Sequence, residues 1–292
     1  ATLARHRRFA EVSPEVGVLD EDAFAKVLRE EPDLAVTMLV EMGSATDERL
    51  RAAARALARR MMLDVARRGV ARGRGIGRLR RLPARHGGEL DLDASLPALL
   101  EARAAGRPPH LDDLIARDWA RPELALCLVI DASGSMTGAR LAAAALTAAA
   151  CAWRAPAEHA IVSFARRADV LRPLCSVRPP GAVVDTILAL RGHGVTALAT
   201  ALRTAREQLA PSRAARKAVV LLSDCRATDD EDPVPAARAC PELLILAPGD
   251  DHDEAAHLAS RAGARWLPLT GAAGAPAALA ALLDGTTGRD HP

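Results

Sequence analysis

Tyrosine is absent, and the 292 residues hold only three Phe and three Trp. A surface that stacks bases needs aromatic rings, so a nucleic-acid platform is not expected. Lysine is nearly absent as well: Lys26 and Lys217 are the only two, and every other basic chain is arginine. No apolar run reaches the about 18–20 residues that span a bilayer. The opening stretch ATLARHRRFAEV has no apolar h-region, so no secretory leader is expected in it. The five cysteines (Cys127, Cys151, Cys175, Cys225 and Cys240) form no C-x-x-C pair. That argues against a zinc knuckle or a dense disulfide framework and predicts small buried thiols in a reducing cytosol. A G-x-x-x-x-G-K-[ST] phosphate loop is missing too. Gly73, Gly75 and Gly77 do form G-x-G-x-G, but in an arginine-rich stretch with no strand before it, so we do not read a nucleotide cradle there.

What is present is enough for a folded core. Half of the residues are hydrophobic, 26% are charged and the net charge is +2. That balance excludes a uniformly basic polyanion binder. Alanine is abundant, and we read this as a bias of GC-rich coding. The chain divides by pattern into a helical region over 1–121, an α/β domain over 122–285 and a tail over 286–292. Helices are expected over 20–31 and 32–42, the second starting on Pro32 and stopping at Gly43. Thr46 is expected to cap a third helix that runs to about 68. Residues 69–88 fit no regular element and read as an ordered loop or a mobile arm. A short strand is expected over 89–92, a helix capped by Asp93 or Ser95 up to about 105, and a further short helix over 111–119.

From Pro122 the rhythm changes to alternating strands and helices. Residues 124–130 and 217–222 are continuous apolar runs, the mark of buried parallel strands. Residues 159–164 and 169–174 read as a hairpin about Arg166–Arg167. The expected fold is α/β: an open, mostly parallel, Rossmann-like sheet with helices on both faces, preceded by a helical region. Such sheets bind ligands beyond the carboxyl ends of their strands. Three segments should meet there: Asp131-Ala132-Ser133-Gly134-Ser135-Met136, the turn Gly192-His193-Gly194-Val195-Thr196, and Ser223-Asp224. Asp131, Ser133, Ser135, Thr196 and Asp224 make an all-oxygen set that suits Mg2+ or Mn2+ and not zinc.

The order Asp131-x-Ser133-x-Ser135, then Thr196, then Asp224, resembles the metal-ion-dependent adhesion site of von Willebrand factor A domains. The resemblance covers roughly residues 122–283. It implies that Ser133, Ser135 and Thr196 contact the metal, while Asp131 and Asp224 act through water or hydrogen bonds. It also implies that an Asp or Glu of a partner protein takes the remaining position. Gly134, Met136 and His193, at the rim, are then candidates to touch that partner. One departure stands out: the family often has glycine after the last aspartate, and here it is Cys225, where a positive φ is strained. The lead-in, with its Arg/Gly-rich stretch and ELDLDASLPALL, is similar to CoxE-like intracellular A-domain proteins and to the C-terminal part of magnesium-chelatase D subunits. That layout implies a MoxR-type AAA+ ATPase partner and a non-catalytic, Mg2+-dependent binding role in the cytosol. The alternative it leaves open is a non-ATPase subunit of a metal chelatase.

Residues 49–85 hold thirteen arginines against one acid, Asp64. This reads as a solvated helix face plus a loop, or as a docking surface for an acidic partner through residues such as Arg72, Arg74 and Arg78. The acidic run Asp229-Asp230-Glu231-Asp232 reads as a solvated turn or as a specificity rim near the metal. A hydrolase built on Ser133 or Ser135 with His193 and Asp224 is disfavoured, because neither serine sits in G-x-S-x-G.

Overall fold

Side-chain caps fix where the first helices begin. The computed structural model describes residues 3, 6–69, 78–84, 89–120, 124–133, 138–192 and 194–285. After a short α1 (Phe9–Val12), Asp20 accepts from the N–H groups of Asp22 and Ala23 and opens α2 (Glu21–Glu30). Pro32 stands at the first position of α3 (Pro32–Met42), where its missing N–H costs no helical bond. α4 (Glu48–Gly69) is opened by Asp47 and not by the expected Thr46: Asp47 Oδ1 accepts from Leu50 N–H at 2.8 Å. Asp47 stands three residues before that N–H, the reach of an N-cap side chain. Phe24, Val27, Met38, Leu39, Met42, Leu50 and Leu57 make the core of this helical layer.

The chain groups into two units, Ala1–Gly73 with Leu124–Pro292, and Arg74–Glu123. The pattern boundary at 121 marks a change of sequence style, whereas the contacts join the first helices to the later sheet. In the smaller unit, β1 (Arg78–Pro83), β2 (Glu89–Leu90), α5 (Leu92–Ala104) and β3 (Ile115–Ala120) form an antiparallel sheet of order β1-β3-β2 with one helix. Two expectations are corrected here. Part of 69–88 is a strand, and the end of 111–119 is a strand instead of a helix. The cause is non-local: β1 and β3 pair from Arg78↔Ala120 to Pro83↔Ile115, which no local pattern announces. The α5 cap is Asp91, which accepts from Ala94 N–H at 3.2 Å, and not Asp93 or Ser95. Ser95 instead docks the helix on β3, donating to Ile115 O at 3.0 Å and accepting from Ile115 N at 2.9 Å. Burial pushes the Asp91 carboxyl up, but Arg117, the Ala94 N–H and Arg81 together hold it below the usual carboxylate range.

The larger unit continues with β4 (Leu124–Asp131), α6 (Gly138–Arg154), β5 (Glu158–Phe164), β6 (Ala168–Arg172), α7 (Pro180–Leu188) and α8 (Leu198–Leu209). β7 (Arg216–Leu222), α9 (Val234–Arg238), β8 (Leu243–Pro248), α10 (Asp253–Ala262), β9 (Arg265–Leu269) and α11 (Ala275–Asp284) complete it. The sheet order is β6-β5-β4-β7-β8-β9, and β6 alone runs antiparallel. This is the expected α/β fold: a mostly parallel sheet with helices on both faces and a helical region before it. Side chains alternate across the strands. Leu126, Leu128, Ile130, Val220, Leu244 and Leu246 pack in one cluster with α6, α7 and α11. Cys127, Val129, Val219, Leu221 and Ile245 pack in the other with α8, α9 and α10. α3 and α4 add a further layer outside α6, contributing Val36, Val40, Met62 and Ala66 to its cluster. The tail 286–292 lies outside the described residues.

Candidate metal site

β4 and β7 are parallel neighbours in register up to Ile130↔Leu222, so Asp131 and Ser223 leave the sheet side by side. The residues after them are hydrogen-bonded into one web. Ser133 donates to Asp131 Oδ1 twice, from Oγ at 2.6 Å and from the backbone N–H at 2.9 Å. Ser223 Oγ donates to Asp131 Oδ2 at 2.6 Å and accepts from Cys225 N–H at 2.9 Å. The Thr196 segment is tied to β5 through Ala197 N–H to Ala165 O at 2.9 Å. It is tied to the loop after Asp224 through Thr196 N–H to Thr228 Oγ1 at 2.8 Å and Thr228 N–H to Thr196 O at 3.2 Å. Asp224 Oδ1 accepts from Arg226 N–H at 3.0 Å. Asp131, Ser133, Thr196 and Asp224 thus belong to loops that the structure joins at one sheet edge.

Ser135, Gly134, Met136 and His193 lie outside the described residues, as do Arg72 and Arg74. Arg78 opens β1, paired with Ala120, and its side chain is outside the description. The described donors fit a hard cation by chemistry. Both Asp131 oxygens already accept hydrogen bonds, an arrangement suited to orienting hydroxyls and waters around an ion. Among the described residues no group of three or more His, Cys, Asp or Glu converges as a metal cage. An ion held here would meet the hydroxyls of Ser133 and Thr196 beside the carboxylates of Asp131 and Asp224, oxygen donors that suit Mg2+ or Mn2+.

Beside Asp131 and Ser133 opens a cleft of about 680 Å³. Ala139, Arg140 and Ala143 from α6 and Gly271 and Ala272 from the turn after β9 line it, and Leu222 and Leu269 are apolar parts of the lining. Ser223 was expected at this edge only as part of the Ser223-Asp224 segment, outside the ligand set, and Thr228, four residues after Asp224, was given no role. A signal was available for Ser223, which directly follows a buried strand. Cys225 does take a left-handed conformation, φ 64°, the region that favours glycine.

The arginines of α4 face partners within the chain. Arg59 meets Asp185 at 3.4 Å, Arg60 pairs with Glu21, and Arg55 donates to Gly43 O at 3.0 Å. Arg67 lies over the Trp153 ring, 5.1 Å from its centroid. In the acidic run, Glu231 pairs with Arg203, and Asp232 meets Arg261 at 3.3 Å. Among the described residues, several charges of both blocks thus meet partners within the chain. No helix among the described residues is long and apolar enough to cross a membrane.

Solved structures give partial likenesses. An aerotolerance-related membrane protein from Bacteroides fragilis is 16% identical, with 56% of this chain and 99% of that chain covered at a TM-score of 0.46. BatB from Bacteroides thetaiotaomicron is 15% identical, with 56% and 98% covered at a TM-score of 0.46. A von Willebrand factor type A protein from Catenulispora acidiphila is 20% identical, with 59% and 44% covered at a TM-score of 0.44. No curated protein matches the sequence. The family model for VWA domain containing CoxE-like proteins matches residues 50–279, most of the chain, and the protein belongs to that family.

Proposed function

We propose that this chain is a non-catalytic module that captures a partner protein through Mg2+ or Mn2+ held by Asp131, Ser133, Ser135, Thr196 and Asp224. In this reading it serves a MoxR-type AAA+ ATPase in the cytosol, in complex remodelling or metal-centre assembly. The observation that carries the proposal is the joined edge: Asp131 pinned by Ser133 and Ser223, with the Thr196 and Asp224 loops bonded to each other. When bound, the cation would supply a positive attachment point for an Asp or Glu of the partner. The chain's own part is to orient its hydroxyls and leave the charge incompletely neutralised, so that an incoming carboxylate gains a strong contact in a partly dry cleft. Gly134, Met136 and His193 would touch the partner around that carboxylate, and Arg72, Arg74 and Arg78 would meet an acidic patch further away. The family assignment supports a non-catalytic VWA module.

The test is calorimetric. Wild type should bind Mg2+ reversibly, and Asp131→Ala or Thr196→Ala should abolish binding while circular dichroism shows the fold intact. Unchanged affinity in both variants would refute the site. Partner retention on an affinity resin should be lost with EDTA and restored by Mg2+.

A further inference from the structure

One helix of the N-terminal layer reaches two segments that line the cleft. From its middle and its C-terminal end, α3 brings Thr37 and Glu41 to the start of α6. A Cβ at Gly138 would stand 2.9 Å from Glu41 Oε1 and 3.0 Å from Thr37 Cγ2. At its N-terminal end, Asp33 enters the turn after β9. A Cβ at Gly271 would overlap the Asp33 carboxylate, whose Oδ1 accepts from Ala273 N–H at 2.8 Å. Ala139 and Arg140, which follow Gly138 directly, and Gly271 and Ala272 all line the cleft. Each of these two lining segments therefore has a glycine at the point where α3 inserts a side chain.

The same helix is anchored on both of its sides. Val36 and Val40 pack in the α6 cluster, whereas Met38, Leu39 and Met42 pack in the core of the helical layer. His6 Nε2 lies 2.8 Å from Glu41 Oε2, with both side chains only 11% exposed. Arg8 bonds Glu30 at 2.6 Å just before α3 begins. A packed helix of eleven residues moves as a body, so displacing one end shifts the other.

We propose that α3 is a strut that sets how the start of α6 and the turn after β9 sit against each other at the cleft, so that the N-terminal helical layer controls how the Asp131–Ser133 loop holds a cation. Asp33, Thr37 and Glu41 are positioning residues. The consequence for the cation rests on the metal reading above, while the mechanical coupling does not.

Asp33→Ala, Asp33→Asn and Gly271→Ala, all in the full chain, separate the two. Asparagine keeps the acceptor for Ala273 N–H; the alanine at 33 removes it, and the alanine at 271 displaces it. Hydrogen exchange without metal, read over 138–146 and 270–275, should quicken in both segments for Asp33→Ala and Gly271→Ala and stay as wild type for Asp33→Asn. Mg2+ affinity, titrated with the fold intact, should fall about two- to thirty-fold in the same two variants and hold in Asp33→Asn. Faster exchange confined to 270–275 would overturn the strut, and unchanged Mg2+ affinity would overturn its control of the site. If wild type binds no Mg2+, the metal reading fails and exchange over 138–146 still decides the coupling. If Gly271→Ala does not fold, the Asp33 pair gives both readouts.

Discussion

The two faces of the six-stranded sheet are covered in different ways. On one, α6 lies between the sheet and the α3–α4 layer, and every residue from Leu141 to Ala152 is buried. On the other, α8 and α10 bury a single stripe (Leu198, Leu202, Ala205 and Leu209; Ala255, Leu258 and Ala259) and keep charged residues outside. The strands feed the α6 face mainly with leucine, isoleucine and valine, and send Ala125, Cys127, Ala160 and Ala247 among branched residues to the other. The α6 face is also the one with a second helical layer beyond its helix. A helix packed on both sides needs small residues so that neighbouring axes can approach. Alanine in α6 thus has a packing role, and coding bias does not account for it alone.

The largest test of this contrast removes packing from the added layer. Met62 on α4 is 1% exposed and belongs to the α6 cluster. Met62→Ala should cost about 2–5 kcal/mol in urea unfolding. On the other face, Arg203→Ala removes an exposed pair with Glu231 and an exposed hydrogen bond to Thr200 Oγ1, and should cost under about 1 kcal/mol. Similar small losses for both would mean that the α3–α4 layer adds nothing to α6. Enlarging the sandwiched helix is the converse. Ala145 is fully buried, and Ala145→Leu should cost about 1–3 kcal/mol by overpacking. Ser260→Leu, on the exposed side of α10, should stay within about 0.5 kcal/mol.

The same contrast explains what could be read from the residues. The strands at 124–131 and 216–222 were legible because a strand buried on both faces needs an unbroken apolar run. The α8 and α10 stripes were legible because one side stays polar. β1 and β3 were not, since each is held by the other across more than thirty residues of chain. In the site, the oxygen pattern at Asp131, Ser133, Thr196 and Asp224 was visible as spacing. The bonds that join it, from Ser223 to Asp131 and from Thr196 to Thr228, depend on strand register and loop closure, which spacing does not encode. Gly138 and Gly271 gave no warning that α3 occupies the space of their missing side chains.

The α6 face also holds a buried histidine. His159 precedes Ile161 by two residues on β5, is 2% exposed, and contacts Ala155 O through Nδ1 at 2.9 Å. Burial first, and then the Arg172 guanidinium, pushes its pKa down to about 4, against a smaller upward pull from the Ala155 carbonyl. The unfolded chain takes up this proton near pH 6.5, so its contribution is complete above that value and is lost as pH falls toward 4. Between about pH 7 and pH 5 this should remove about 2 kcal/mol of stability. His159→Gln should lack that component in matched urea titrations. Equal pH slopes in variant and wild type would show that His159 is not held neutral.

The smallest effect sits where the metal edge meets the α8–α10 face. Cys225 is 5% exposed in that cluster, and among the described residues it alone combines a side chain with positive φ. The backbone is held there by Cys225 N–H to Ser223 Oγ at 2.9 Å and by Ala227 N–H to Cys225 O at 3.0 Å. Holding a side chain in the left-handed region costs about 1–2 kcal/mol, offset here by burial of the sulfur. Alanine keeps the strain and loses the sulfur, whereas glycine loses both. Cys225→Gly should therefore be more stable than Cys225→Ala by about 1 kcal/mol in urea unfolding, with the hydrogen bond to Ser223 kept in each. An alanine variant as stable as the glycine one would show that this turn relaxes out of the left-handed region. Asp131 would then lose the fixed Ser223 partner on which the edge depends.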